Sequence, residues 1–164
     1  MRYKPILIVG GEPNSVFTEL FLKTLKFKKF KSPIVLIYSK KILIKQMKKL
    51  NFKKKIRFID HHKLDSYKLN CKTINLIDVK YNPSKAFDRI SNKSKPYIKD
   101  CFEVAIEIIN SGYTDKLING PISKKVFLNR KFPGITEYLA DKFKKKNFAM
   151  LIYNKKLSVS TITT

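Results

Sequence analysis

The sequence predicts an α/β fold, a three-layer α/β/α arrangement around a mainly parallel sheet. Residues 5–9 and 34–38 are continuous apolar runs, and 56–59 and 74–77 read as two more short strands. Between them, Val16, Leu20, Phe21 and Leu25, then Ile42, Leu43, Met47 and Leu50, recur at helical spacing. Strands apolar on both faces that alternate with amphipathic helices imply βαβ units and a sheet covered on both sides.

Each element has its own punctuation. Gly10-Gly11 ends the first strand in a turn, and Asn14 or Ser15 is placed to cap the helix that follows. Pro33 breaks the chain before the second strand, after which Ser39 starts a helix running to about Leu50. Residues 82–96 read as a loop with one helical turn near Ala86. A longer helix then presents Ile98, Phe102, Ala105, Ile106 and Ile109 on one face and stops at Gly112. Residues 116–118 form a short strand leading into Asn119-Gly120-Pro121. Residues 123–129 and 136–143 read as helices joined by Lys131-Phe132-Pro133-Gly134. Residues 148–153 and 157–162 flank Asn154-Lys155-Lys156 as a hairpin. The last strand is still running at Thr164, so the fold is expected to be incomplete at its C-terminus, the first part of a larger protein.

Composition narrows the function classes. There are 164 residues, 36 basic and 12 acidic, for a net charge of +24. Such a charge invites nucleic acid, since cations gain affinity by releasing phosphate counterions. Yet only Arg2, Arg57, Arg89 and Arg130 are arginines, and base readout and bidentate phosphate grips favour arginine. Abundant lysine, asparagine and isoleucine instead match A/T-rich codons, so we read the charge as genome-wide bias and expect no nucleic-acid partner. No apolar run approaches the roughly 18–20 residues that cross a bilayer, so no membrane role is expected. The N-terminus does not read as a signal peptide. Cys71 and Cys101 form neither a disulfide framework nor a zinc motif, and a reducing, cytoplasmic setting is expected.

Three loops stand where ligands bind in open α/β sheets. Gly10-Gly11-Glu12-Pro13-Asn14-Ser15 lets backbone N–H groups approach an anion, but it lacks GxGxxG and GxxxxGK[ST] and reads equally as a tight turn. Asn119-Gly120-Pro121-Ile122-Ser123-Lys124-Lys125 sets lysines one turn into a helix, over an anionic substrate or simply in solvent. Pro133-Gly134-Ile135-Thr136-Glu137-Tyr138 puts Thr136 in position to cap a helix, with its hydroxyl and free N–H groups available to a phosphate or carboxylate. The three are expected to converge on one cleft. His61-His62 follow a strand; adjacent residues on an extended segment point to opposite faces, so they read as solvated loop histidines rather than a chelating pair.

In combination the three loops are more specific than singly. Gly11-Glu12-Pro13, then NGPISKK, then Gly134 and the TEYLA of residues 136–140, then a hairpin ending S-T-I-T-T resemble the 4-hydroxythreonine-4-phosphate dehydrogenase family of vitamin B6 biosynthesis. That family carries G-[DE]-P-A-G-I-G-P-E, [TN]-G-P-[IV]-x-K, G-H-T-E-[FY]-L-A and A-T-T-H. The likeness runs from the first strand to the last residue, about the first half of a family member. It implies an isocitrate/isopropylmalate-dehydrogenase-like architecture, with residues 1–164 the N-terminal part of a two-domain enzyme. This chain keeps only Glu19 of the family's A-G-I-G-P-E. Ile135 stands where the family has a substrate-contacting histidine, and isoleucine donates no hydrogen bond. The family's A-T-T-H supplies its first metal-binding histidine, and this chain reaches Thr163-Thr164, one residue before it.

The resemblance implies NAD-dependent oxidation and decarboxylation of 4-(phosphooxy)-L-threonine to 3-amino-2-oxopropyl phosphate, with a divalent ion (Zn, Mg or Co) whose ligands lie beyond Thr164. It implies a phosphorylated hydroxy amino acid as partner and a homodimer for the full-length protein. Thr136 and the Ile135 position are expected to bind substrate, and Lys124 to act as a cation or proton-transfer aid. No residue present is expected to bind the metal, and none is assigned to the cofactor. The chain alone is expected to be inactive. The alternative is a non-catalytic α/β binding or regulatory module derived from such an enzyme.

Overall fold

The computed structural model describes residues 3–161, and the chain divides into two compact units, Met1–Ile122 and Ser123–Thr164. The first unit is built on an all-parallel sheet of β1 (Ile6–Val9), β2 (Ile34–Tyr38), β3 (Ile56–Phe58), β4 (Ile74–Asp78) and β5 (Leu117–Asn119), in the order β3-β4-β2-β1-β5. α1 (Phe17–Phe27) follows β1, α2 (Lys40–Lys49) follows β2, and α3 (Lys95–Asn110) follows β4. The steps β1 to β2 and β2 to β3 run toward one edge, whereas β4 to β5 runs back to the other. Right-handed crossovers therefore set α1 and α2 on one face and α3 on the opposite face. α1 packs on α2, and α3 packs across β1 and β2. The layered α/β fold expected from the sequence is the one that forms.

Apolar runs are buried on both faces only at the centre of the sheet. Leu7, Val9, Val35, Leu36 and Ile37 have no exposed surface, while Phe58 on β3 and Ile118 on β5 are about half exposed at the two edges. The α1 helix is rotated from its expected face: Phe17, Thr18, Phe21 and Leu22 are buried, and Val16 and Leu20 are exposed. A polar layer causes the rotation. The Thr18 hydroxyl meets Gln46 Oε1 at 2.5 Å and Tyr38 Oη at 3.2 Å, and Gln46 donates through Nε2 to Pro13 O at 2.7 Å. A threonine and a glutamine that composition would place outside are thus satisfied inside.

The helix starts also differ in detail. Ser15 Oγ accepts the Phe17 N–H at 3.2 Å, although Val16 occupies the cap position of α1. Ser39 precedes α2, but the free Lys40 N–H is taken by Asp78 Oδ1 at 2.7 Å, and Ser39 Oγ donates to Tyr81 O. On α3 the buried set is Tyr97, Ile98, Cys101, Phe102, Ala105 and Ile108; Ile106 and Ile109 are only half-buried. Gly112 ends that helix at φ +79°, as its type predicts. The single helical turn in the 82–96 loop lies at Asn92–Ser94, not near Ala86.

In the second unit, Ser123 opens a π-type turn, Lys124–Leu128, by accepting the Val126 N–H on its Oγ at 3.3 Å. Asn129 and Arg130 then reverse the chain at φ 49° and 58°. α4 (Ile135–Lys142) carries Tyr138 inward, with its ring edge-on to Phe127 at 5.2 Å and Phe132 at 5.5 Å. β6 (Met150–Ile152) and β7 (Val159–Thr161) pair antiparallel, with Leu151 opposite Ser160. This hairpin is shorter than expected, and Ile162 to Thr164, with the residues matching A-T-T, lie outside the described residues.

The two cysteines are in opposite surroundings. Cys71 is exposed, and Cys101 is buried on α3, where burial above all raises its thiol far above the ordinary range. We predict that a thiol reagent at neutral pH modifies one cysteine of the folded protein, Cys71, and the second only after denaturant is added. Rapid labelling of both in the native state would contradict the packing of α3.

Candidate functional site

In an open parallel sheet the ligand crevice lies beyond the carboxyl ends of the strands, where the strand order reverses. Here the helices after the adjacent strands β2 and β4 leave to opposite faces, so that place is between them, and β1 and β5 pair beside it. The loops after β1 and β5 touch through backbone. The Glu12 N–H donates to Pro121 O at 2.8 Å, and Gly120 N–H donates to Val9 O at 2.7 Å. A side chain on Gly120 would meet Gly10 O at 2.2 Å, and one on Gly11 (φ +72°) would meet Pro121 O at 2.4 Å. Gly10 is equally closed, because the Tyr38 ring occupies the space its Cβ would need. The Gly10–Ser15 and Asn119–Ile122 loops are therefore brought together, as expected.

Glu12 is buried at this junction, 1% exposed. Its Oε2 accepts the Ser94 hydroxyl at 2.7 Å, and its Oε1 accepts the Asn14 N–H at 3.3 Å. The loop after β4 folds over the same edge: Asn14 Oδ1 accepts the Asp88 N–H, Asn14 Nδ2 donates to Arg89 O, and Gln46 Nε2 donates to Ala86 O. Between this loop and α3 lies an open cavity of about 620 Å³, bordered by Asn14, Lys80, Tyr81, Arg89, Lys93 and Asp100. Its wall carries three cations, Lys80, Arg89 and Lys93, and two carboxylates, Asp88 and Asp100. Burial raises the Tyr81 phenol, and Glu12 adds to the shift; the Arg89 N–H holds the Asp88 carboxyl below its ordinary value. Sequence reading missed Lys80, Arg89 and Lys93, since a loop without a motif in a lysine-rich chain gives no signal.

The other expected site residues belong to the second unit. Lys124 is exposed on the π-type turn, and Ile135, Thr136 and Glu137 are half-buried in the first turn of α4. Gly134, not Thr136, holds the N-cap position, so the threonine hydroxyl stands one residue inside the helix.

The histidines do not stand on the extended segment that the sequence reading supposed. His61 and His62 open a 3-10 helix, His61–Ser66, rather than extending the strand, and their ring centroids are 3.9 Å apart. Both face Glu107 on α3.

Comparison with known proteins gives the family. The family described as pyridoxal phosphate biosynthetic protein PdxA matches residues 29–164. This chain belongs to that family. A 4-hydroxythreonine-4-phosphate dehydrogenase from a Sulfurihydrogenibium species is 30% identical over 97% of this chain and 49% of its own length. A relative from Oceanobacillus iheyensis, provisionally assigned as a D-threonate 4-phosphate dehydrogenase, is 28% identical over the whole of this chain and 51% of its own length. The chain thus spans about half the length of the curated relatives it matches. A crystal structure of a 4-hydroxythreonine-4-phosphate dehydrogenase from Burkholderia phymatum superposes with a TM-score of 0.81 at 25% identity, over 98% of this chain and 50% of that one. No helix among the described residues is long and apolar enough to cross a membrane.

The PdxA relationship raises the question of whether the three loops suit a metal or a dinucleotide. None contains a histidine or cysteine, and their carboxylates are Glu12 and Glu137. Glu12 is committed to Ser94 and Asn14. The space beside Gly11 and Gly120, where a pyrophosphate would lie, is filled by the protein's own carbonyls. These residues do not by themselves fit either group.

The glycine contact can be measured. Gly120→Ala forces a Cβ against a backbone carbonyl and should destabilise the protein by about 1–3 kcal/mol in urea unfolding. Gly134→Ala is the comparison, because its nearest atom is the flexible end of Glu137; it loses only a glycine N-cap, so its change should stay below about 1 kcal/mol. Equal midpoints for the two variants would contradict the backbone contact.

Proposed function

We propose that residues 1–164 are the N-terminal part of a two-domain dehydrogenase that acts on 4-(phosphooxy)-L-threonine in pyridoxal phosphate biosynthesis. In this reading NAD, when bound, would supply the acceptor for the hydride of the secondary alcohol. The resulting β-keto acid then loses CO2 to give 3-amino-2-oxopropyl phosphate. The observation that carries the reading is the family match over residues 29–164, which includes both NGPISKK and the TEYLA of residues 136–140. A divalent metal would act as a Lewis acid on the substrate oxygen. The three loops themselves present no fitting donors for it.

This chain's own contributions are binding and charge. The Thr136 hydroxyl and the free N–H groups of the first turn of α4 would hold an anionic substrate group. Lys124 would supply a cation or assist proton transfer. Ile135 removes a donor, so the substrate position it borders is apolar. We take the complete protein to be a cytoplasmic homodimer. A second reading, a non-catalytic binding module, is favoured by Ile135 at the histidine position.

Residues 1–164 alone, given NAD, a divalent metal and 4-(phosphooxy)-L-threonine, should produce no NADH. Protein extended to the length of its relatives should produce NADH, and Thr136→Val should lower its kcat/KM by about 10–100-fold through the lost hydrogen bond to a charged group. Preference for D-threonate 4-phosphate would keep the dehydrogenase and change the substrate. Ligand binding without NADH formation by the extended protein would overturn the enzyme in favour of the binding module.

A further inference from the structure

At the carboxyl end of β3, on the opposite edge of the sheet from β5, nitrogen and oxygen donors gather that the dehydrogenase reading does not use. Asp60, His61 and His62 each offer a ligand atom, and these atoms all lie within 4.8 Å of one another. From α3, Glu107 faces both rings: Oε2 is 3.7 Å from His61 Nε2, and Oε1 is 3.4 Å from His62 Nδ1. Donor atoms on a tetrahedral ion with bonds of 2.0–2.1 Å are about 3.4 Å apart. The two separations to Glu107 are therefore near those between ligands of one ion.

Local structure makes the cluster. The Asp60 carboxylate accepts the His62 N–H at 3.0 Å and opens the 3-10 helix, which turns two adjacent imidazoles toward one side. Asp60 thus holds the pair in place whether or not it is itself a ligand. A cavity of about 230 Å³ adjoins the rings, bordered by His61, His62, Asp65, Glu107 and Ser111. His61 is largely covered and His62 is largely open, which leaves room for a water at a remaining coordination position.

We propose that His61, His62 and Glu107, with Asp60 beside them, form a binding site for a divalent transition-metal ion, zinc foremost. Two imidazoles select zinc, nickel, copper or cobalt over magnesium or calcium, which prefer all-oxygen sets. A bound ion would tie the turn after β3 to α3, two elements far apart in sequence, and would stabilise the fold by binding the native state alone.

The chain has only two histidines, so its imidazole NMR signals report directly on the site. Zinc added to the intact chain should shift the ring signals of both, saturating at one ion per chain, while magnesium should leave them unchanged. Competition against a chromophoric chelator should give at least tenfold weaker zinc binding for Glu107→Gln. For His61→Ala/His62→Ala the binding should vanish. Zinc should raise the Tm of the native sequence and not that of the double variant. Ring signals unmoved by zinc would overturn the site without any variant having to fold. Zinc affinity kept by the double variant, or lost in Cys71→Ser alone, would overturn it by placing the ion elsewhere.

Discussion

The first unit depends on three glycines that let the loops after β1 and β5 meet at the carboxyl end of the sheet. Gly10 leaves room for the Tyr38 ring, and Gly11 and Gly120 let the backbone after β1 lie against the backbone after β5. Any side chain there would separate the strands or expel the ring. The hydrogen bonds Glu12 N–H to Pro121 O and Gly120 N–H to Val9 O extend the β1–β5 ladder beyond the strands themselves. That closure carries Glu12 inward, where Ser94 receives it and joins the loop after β4 to the same edge.

Behind the glycines stands a polar layer within an otherwise apolar core. Tyr38 and Tyr97 pack edge-on at 6.2 Å, and the Ser39 N–H donates to the Tyr97 hydroxyl at 3.0 Å. Thr18, Tyr38 and Gln46 share hydrogen bonds that also hold Pro13 O. Burial raises both phenols well above their ordinary range, so each stays neutral and serves as a fixed hydroxyl. Such a layer tolerates few alternatives, because each buried donor or acceptor left without a partner costs about 1–3 kcal/mol. It therefore fixes how α1 and α2 sit relative to β2, and with them the loop that carries Glu12.

The candidate site was legible where motifs concentrate and silent where they do not. Gly120-Pro121 and the Thr136-Glu137-Tyr138 run stand out because in combination they match a family's stretches. Lys80, Arg89 and Lys93 carry no pattern; only the fold of the loop after β4 lines them along one cavity. The histidines show the opposite failure. Alternation along an extended segment would separate them, but the 3-10 turn begun by Asp60 rotates them together. Glu107, more than forty residues away, has no sequence relation to them and meets them because α3 passes that edge.

Strand and helix identity, their order and the parallel architecture follow from the sequence alone, because apolar period and chain breakers are local properties. Its motifs also named the family that the comparison found. The finer facing of the helices did not follow: α1 buries Thr18 and exposes Leu20 because partners on β2 and α2 satisfy the hydroxyl. Ser39 keeps the cap position of α2, but its hydroxyl donates to Tyr81 O, and Asp78 from another strand takes the Lys40 N–H. Hydrogen bonds and donor clusters between distant segments depend on three-dimensional approach, which no local period encodes. The polar core, the loop cavity and the histidine–carboxylate cluster were therefore decided only by the tertiary structure.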